Sequence, residues 1–333
     1  MKIEKGAKYI GIGISILTLS VFIYIYGPYN LLRTMSSLPS IFILFFIAAL
    51  AFHLLSFIFW SFRIKFLSFV NGYRITFHQA FITVISSLFI ATLTPGYIGG
   101  EPVRIKKLND YGIPAGSSTA IVLGERGFDS IFFIIIFSFI ILSGFVTLTY
   151  EFHIYAIIGI AVLLAFLAFL VLSIGAKNFF KVIIGKIENF LIKIDKKGRR
   201  NKESFSKVAE GIELFADSTK TMFIKRPAML VAGILITSLL WLSDFSVPVI
   251  LIMGFGIRPD IIYIIFIQVI LVLISLIPIT PGAAGIMEIL MLATFAAFLP
   301  HNYLIVFIII WRFITFYFNI LLGSFSIHKI VTK

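Results

Sequence analysis

Apolar stretches alternate with polar breaks along the chain, falling at about 9–26, 41–62, 77–93, 117–149, 153–174, 227–253, 259–279, 284–299 and 303–327. Crossing a hydrocarbon core of roughly 30 Å takes about 20 apolar residues in a helix that rises 1.5 Å per residue. Most of these runs are long enough. A membrane barrel would instead show segments of about ten residues with alternating character. The pattern predicts an all-α polytopic membrane protein, a single integral membrane domain over residues 1–333. The run at 9–26 is too long for a signal-peptide core and no small-residue cleavage site follows it, so it is expected to be a retained first helix.

Two runs end unusually. "TPGYIGGEPVRIKKL" follows the third at 94–108, and "TPGAAGIME" interrupts the late pair at 280–288. Proline cannot donate a backbone hydrogen bond and glycine accepts turns other residues resist. Thr94, Pro95, Gly96, Gly99 and Gly100 therefore mark one turn, and Thr280, Pro281, Gly282 and Gly285 a second. At membrane depth, such a break needs protein or a water-filled cavity around it. The helix resuming after each turn would aim N-terminal amides, with partial positive charge, into that space.

Charge decides how these turns sit. Residues 175–226 hold thirteen Lys and Arg against six Asp and Glu, a net of 13 − 6 = +7, which the positive-inside rule places in the cytoplasm. Further cations cluster at the N-terminus, at Arg63/Lys65/Arg74, at Arg104/Lys106/Lys107 and at His328/Lys329/Lys333. All can lie inside, with both termini, only if 77–93 enters from the cytoplasm and returns through 101–108. Two readings stand: re-entrant helical hairpins with tips at the TPG turns, or proline-kinked full spans. The first gives about six full transmembrane helices plus two re-entrant hairpins. Within the basic loop, Phe180, Ile184, Ile187, Leu191 and Ile194 share one helical face. That face would lie on anionic inner-leaflet lipids or pack on the protein itself.

One offset links the halves. Thr94 and Thr280, Ile41 and Pro227, and Arg126 and Arg312 are each 186 residues apart. The chain therefore reads as an internal repeat, about 41–149 and 227–327. An odd number of crossings between the copies gives them inverted topology, an architecture that builds a midplane site from broken helices.

Composition narrows the chemistry. Of 333 residues 60% are hydrophobic and 13% charged, with a net charge of +13; a soluble domain would be about a quarter charged. The excess cations sit in loops that mark orientation, so no nucleic-acid partner is expected. No cysteine is present, which excludes disulfides and thiolate chemistry. Five histidines (53, 78, 153, 301, 328) are scattered, and no G-x-x-x-x-G-K-[ST], H-E-x-x-H or G-x-S-x-G occurs. Neither a metal nor a cofactor is implied, and the chain reads as a non-enzyme.

The candidate site is the set of charges placed in apolar runs: Glu101, Arg104, Glu125, Arg126, Asp129, Asp244, Glu288 and Arg312. An unpaired charge there costs several kcal/mol, so these should pair or face a polar cavity. Arg126 and Arg312, one per repeat, suit an anionic headgroup because guanidinium grips phosphate with two bonds. Glu101 and Glu288 would balance those arginines or bind a cationic headgroup. His53 reads as a hydrogen-bonded packing residue. A lipid flippase or scramblase fits this set best. The alternatives are an intramembrane enzyme acting on a lipid phosphate and a secondary transporter of a small solute.

"TPGYIGGEPVR", then "LGERGFD", then "PITPGAAGIMEIL" resemble the lysylphosphatidylglycerol synthase transmembrane-region family, the flippase-like domain of bacterial multiple peptide resistance factors. The resemblance spans essentially the whole chain. It implies ATP-independent movement of an amphipathic lipid across the cell membrane through a cavity between two repeats. By motif, Glu101, Arg104, Glu125, Arg126, Asp129 and Glu288 would be the functional polar set. Tyr97 stands where the family often has glycine, and no aminoacyl-transferase segment is present. The resemblance therefore leaves the substrate open between lysylphosphatidylglycerol and another lipid, such as a polyprenyl-phosphate-linked sugar.

Overall fold

A computed structural model describes residues 27–142, 150–175, 199–275 and 285–331, with Leu17, Ser20, Val21, Ile23, Tyr24, Thr280 and Ala283 besides. The expected first helix lies almost wholly outside the described residues. So do the amphipathic segment at 180–194 and Pro281 and Gly282 of the second turn.

Among the described residues the chain is helical. In order it forms α1 (Pro28–Ser36), α2 (Phe42–Val70), α3 (Phe77–Thr92), α4 (Gly100–Asp110), α5 (Ala115–Leu142), α6 (Tyr150–Gly175) and α7 (Arg199–Lys220). Then follow α8 (Pro227–Gly254), α9 (Ile261–Ser275), α10 (Ile286–Phe295), α11 (His301–Arg312) and α12 (Phe318–Val331). Helices α2, α8 and the continuous span His301–Ser324 are long and apolar enough to cross a membrane. Helix α5 has the length as well, but carries Glu125, Arg126 and Asp129. Their outer faces present Phe62, Phe139, Leu235 and Leu239, the surface a lipid-bathed bundle should have. This is an integral membrane protein.

Local chemistry sets the ends. After α2, Tyr73 N–H donates to the Ser68 carbonyl (2.9 Å) past Gly72, whose φ of 88° closes the helix in the left-handed region. Thr76 then caps α3 reciprocally: its Oγ1 accepts from Gln79 N–H at 3.2 Å, and Gln79 Oε1 accepts from Thr76 N–H at 2.8 Å. Pro227 opens α8 at a position where proline's missing N–H costs nothing.

Helices α2 and α8, whose starts are offset by 185 residues, pack against each other antiparallel. The Phe42 ring would block a side chain at Gly254, His53 faces Asp244, and Arg63 faces Thr237. The first Thr-Pro-Gly turn joins two short helices, α3 and α4, and the short helices α9 and α10 flank the second Thr-Pro-Gly in sequence. In the first pair, Arg104 of α4 reaches back to Ser87 of α3, and a Cβ on Gly100 would touch Ala91. The chain therefore reverses between α3 and α4. In the second, Tyr263 of α9 meets Phe298 just beyond α10, with ring centroids 4.8 Å apart. Gly323 of α12 lies against Phe89 of α3, so the last helix of the chain packs on the first hairpin.

Candidate functional site

The first turn builds its own scaffold. Thr94 Oγ1 accepts from the Gly99 N–H at 2.9 Å, and a Cβ at Gly99 would lie 2.6 Å from Thr94 Cγ2. Gly100 is equally confined, by Ala91 and the Ser87 carbonyl. Tyr97 adopts φ 58° and Ala283 adopts φ 51°. These are the described non-glycine residues in the left-handed region, at a cost of about 1–2 kcal/mol each, and they too are 186 residues apart.

At the start of the returning helices the amides are already engaged. Gly99 N–H goes to Thr94, and Gly285 N–H donates to Glu288 Oε2 at 2.6 Å. The acceptor is the Thr94 hydroxyl at the first turn and an acid of the chain itself, Glu288, at the second. Glu101 and Glu288 sit in the first turns of α4 and α10, where the helix dipole favours negative charge.

Each of these acids holds the arginine of the long helix that follows. Glu101 Oε1 accepts from Arg126 Nη2 at 2.5 Å and Nε at 3.0 Å. Glu288 Oε1 stands 2.7 Å from Arg312 Nε. The sequence left two roles open for these carboxylates, and the structure shows them balancing the arginines.

Around the first pair grows a larger cluster. Glu125 Oε1 accepts from Trp60 Nε1 at 2.6 Å and Arg63 Nη2 at 3.2 Å, while its Oε2 stands 3.2 Å from Arg104 Nε. Asp129 Oδ1 accepts from Arg63 Nη1 at 2.5 Å and from Trp241 Nε1 of α8 at 2.8 Å. Arg63 also reaches Thr237 of α8 at 3.3 Å, and Arg104 stacks over Trp60 with its Cζ 5.1 Å from the ring centroid. Three cations (Arg63, Arg104, Arg126) face three anions (Glu101, Glu125, Asp129), a neutral sum. Arg63, Arg104 and Glu125 are at most 2% exposed, whereas Arg126 is 29% exposed.

The second cluster is small. Arg312 is buried, lies 4.3 Å from the Phe316 ring centroid, and has Nη2 without a hydrogen-bond partner among the described residues. Directly after it the helix widens into a π turn, Phe313–Tyr317, a local irregularity that concentrates at functional sites. The Tyr97 phenol from the first turn lies within electrostatic reach of Arg312, so the first turn approaches the second cluster.

Asp244 belongs to a third group. His53 Nδ1 lies 2.8 Å from Asp244 Oδ1 and its Nε2 lies 2.9 Å from Asn319 Oδ1, tying α2, α8 and α12 together. His53 is the packing histidine the sequence suggested, although both its partners are polar. Pro248 lacks the N–H that would bond the Asp244 carbonyl, so α8 is loosened at this acid.

Sequence reading missed Arg63 and Trp60. Arg63 was grouped with Lys65 and Arg74 as a loop cation, yet it lies inside α2 and is buried. Arg104, counted with Lys106 and Lys107 for orientation and also named as a candidate site residue, points into the cluster while Lys106 is exposed. The available signal was spacing: Arg104 lies one helical turn from Glu101.

Comparison with known proteins gives the family. A family model, described as the lysylphosphatidylglycerol synthase TM region, matches residues 9–323. A UPF0104 membrane protein of Archaeoglobus fulgidus is 33% identical over 280 residues, covering 82% of this chain and 83% of that protein. A second UPF0104 membrane protein, from Methanocaldococcus jannaschii, is 28% identical over 189 residues, covering 56% of this chain and 53% of its own length. With its tip motifs, paired acids and arginines inside the matched span, the chain belongs to the lysylphosphatidylglycerol synthase TM region family.

Proposed function

We propose that this protein translocates an amphipathic lipid across the cell membrane, with a headgroup carrying phosphate passing the tip arginines while the tails stay in lipid. One observation carries the reading. In both halves the first-turn acid of a returning helix holds the arginine of the next long helix, Glu101 on Arg126 and Glu288 on Arg312. A guanidinium buried against a carboxylate is already desolvated and charge-balanced. A phosphate can compete with the carboxylate for the guanidinium and, unlike the single carboxylate oxygen that holds each arginine here, can engage two N–H donors with two of its oxygens at once. Arg126 is the partly exposed member, and Arg312 Nη2 has hydrogen-bonding capacity to spare.

In this reading the two hairpins are re-entrant, the halves are inverted repeats, and the basic loops and both termini lie in the cytoplasm. No bond in the lipid is made or broken. Movement follows the lipid gradient or couples to ions, since the chain has no phosphate-binding P-loop.

The test is headgroup exchange in reconstituted liposomes, followed by dithionite quenching of fluorescent phosphatidylglycerol and of a fluorescent polyprenyl-phosphate lipid. Wild type should exchange at least one of them. Arg126→Ala should slow exchange at least tenfold. So should the double variant Glu288→Leu/Arg312→Met, which removes a buried pair without stranding either charge. Exchange at wild-type rates in both folded variants would return the pairs to a purely structural role.

A further inference from the structure

A groove of about 560 Å³ runs down the outer surface between α2 and α8, away from the charge clusters. One wall is a stripe on α2 that includes Phe62, Phe66 and Phe69, and the other is Ile236 and Leu239 of α8. The lining runs along α2 from Phe59 to Phe69, about 15 Å of helix axis. Two cations line the groove, Lys65 midway along the stripe and Arg74 just beyond the end of α2. Both are exposed, and neither forms an ion pair with any described residue. In the same turn of helix Arg63 faces inward and is fully engaged by Glu125 and Asp129, so α2 separates a paired internal cation from two unpaired external ones.

We propose that this groove is a binding site for an anionic phospholipid of the surrounding bilayer, the phosphate held by Lys65 and Arg74 near the end of α2 and one acyl chain running from there along the phenylalanine stripe toward Phe59. The volume falls within the range of ordinary ligand sites. The cations lie in the last two turns of a 29-residue spanning helix and just past it, which matches the depth of a headgroup whose tail extends toward the bilayer centre. An apolar wall alone would select no lipid over another. The two cations supply the selection, since each basic residue near an anionic leaflet adds attraction. The site stands apart from the proposed translocation route, and its occupancy does not depend on transport.

The absence of cysteine makes the test direct. Phe62→Cys, labelled with a fluorophore and reconstituted in phosphatidylcholine vesicles, is titrated with tail-spin-labelled phosphatidylglycerol or with tail-spin-labelled phosphatidylcholine. Half-quenching should need roughly tenfold less phosphatidylglycerol. Adding Lys65→Gln and Arg74→Gln should make the two curves coincide. The same label at Phe139→Cys, an exposed apolar position on α5, should show no headgroup preference. Equal quenching by both lipids at Phe62 would overturn the site. So would a preference that survives the double substitution or appears equally at Phe139.

Discussion

The two halves solve one electrostatic problem at different scales. On the first hairpin, Arg126 is one of six interlocked charges with two tryptophan N–H donors, and α5 stays a regular helix through it. On the second, Arg312 has one carboxylate, one tyrosine and one phenylalanine face, and the helix opens into a π turn at the next residue. A cation held from several directions leaves the backbone undisturbed. A cation held by one acid is accommodated by distortion and by an aromatic face. The first cluster is thus the rigid member of the pair and the second the adaptable one.

The comparison breaks most directly at the acids. Glu125→Leu leaves three cations facing two anions, with Arg63 kept by Asp129 alone and Arg104 by Glu101 at 3.4 Å, and takes away the Trp60 acceptor as well. It should cost about 3–5 kcal/mol, the range for a broken buried pair. Glu288→Leu strands Arg312 alone, next to a π face and a phenol that soften the loss. In detergent, Glu125→Leu should melt at a clearly lower temperature than Glu288→Leu; the reverse order would mean the larger cluster is not the more rigid.

A smaller effect tests the first turn. Gly99→Ala drives a methyl against Thr94 and should cost about 1–3 kcal/mol, the range for overpacking. Thr94→Ser in the same background removes the nearer contact, Cγ2, and should restore part of the melting temperature. No recovery would place the strain elsewhere.

Weaker still, and opposite in sign, are the two left-handed residues. Ala283→Gly should stabilise by about 1 kcal/mol, because it removes backbone strain and little else. Tyr97→Gly relieves the same strain but loses the phenol near Arg312, so it should destabilise. If both stabilise, the Tyr97 phenol contributes nothing and the halves are less tied than their geometry indicates. Asp110→Ala, which breaks an exposed pair with Lys106 (side chains 47% and 72% exposed), should move stability by no more than about 0.5 kcal/mol.

Much of this was legible in the chain. The turns announce themselves because proline and glycine act locally, and the 186-residue offset survives between segments that share few other residues. The tip acids and their arginines stood out because charges are rare in apolar runs. Arg63 and Trp60 did not. Their roles depend on Glu125, 62 and 65 residues away, and nothing near Arg63 distinguishes it from Lys65, which faces out two residues later. Arg104 was legible as a site residue, yet grouping it with Lys106 and Lys107 hid its direction: on a three-turn helix, side chains two residues apart point to opposite sides. Counting cations by segment sets orientation well and assigns individual side chains poorly.

The order of the charged residues along the chain bears on how the molecule is made. All six members of the first cluster precede residue 130, so translation supplies every one before the second half exists. The newborn half can neutralise itself in the bilayer and wait for the Trp241 and Thr237 donors of α8. Glu288, by contrast, emerges before its cation, which arrives 24 residues later on the final helix pair. A chain stopped short of Arg312 would carry a membrane-embedded acid with no counterion, a distinct signal for quality-control proteases that a chain stopped anywhere between Asp129 and Asp244 would not display.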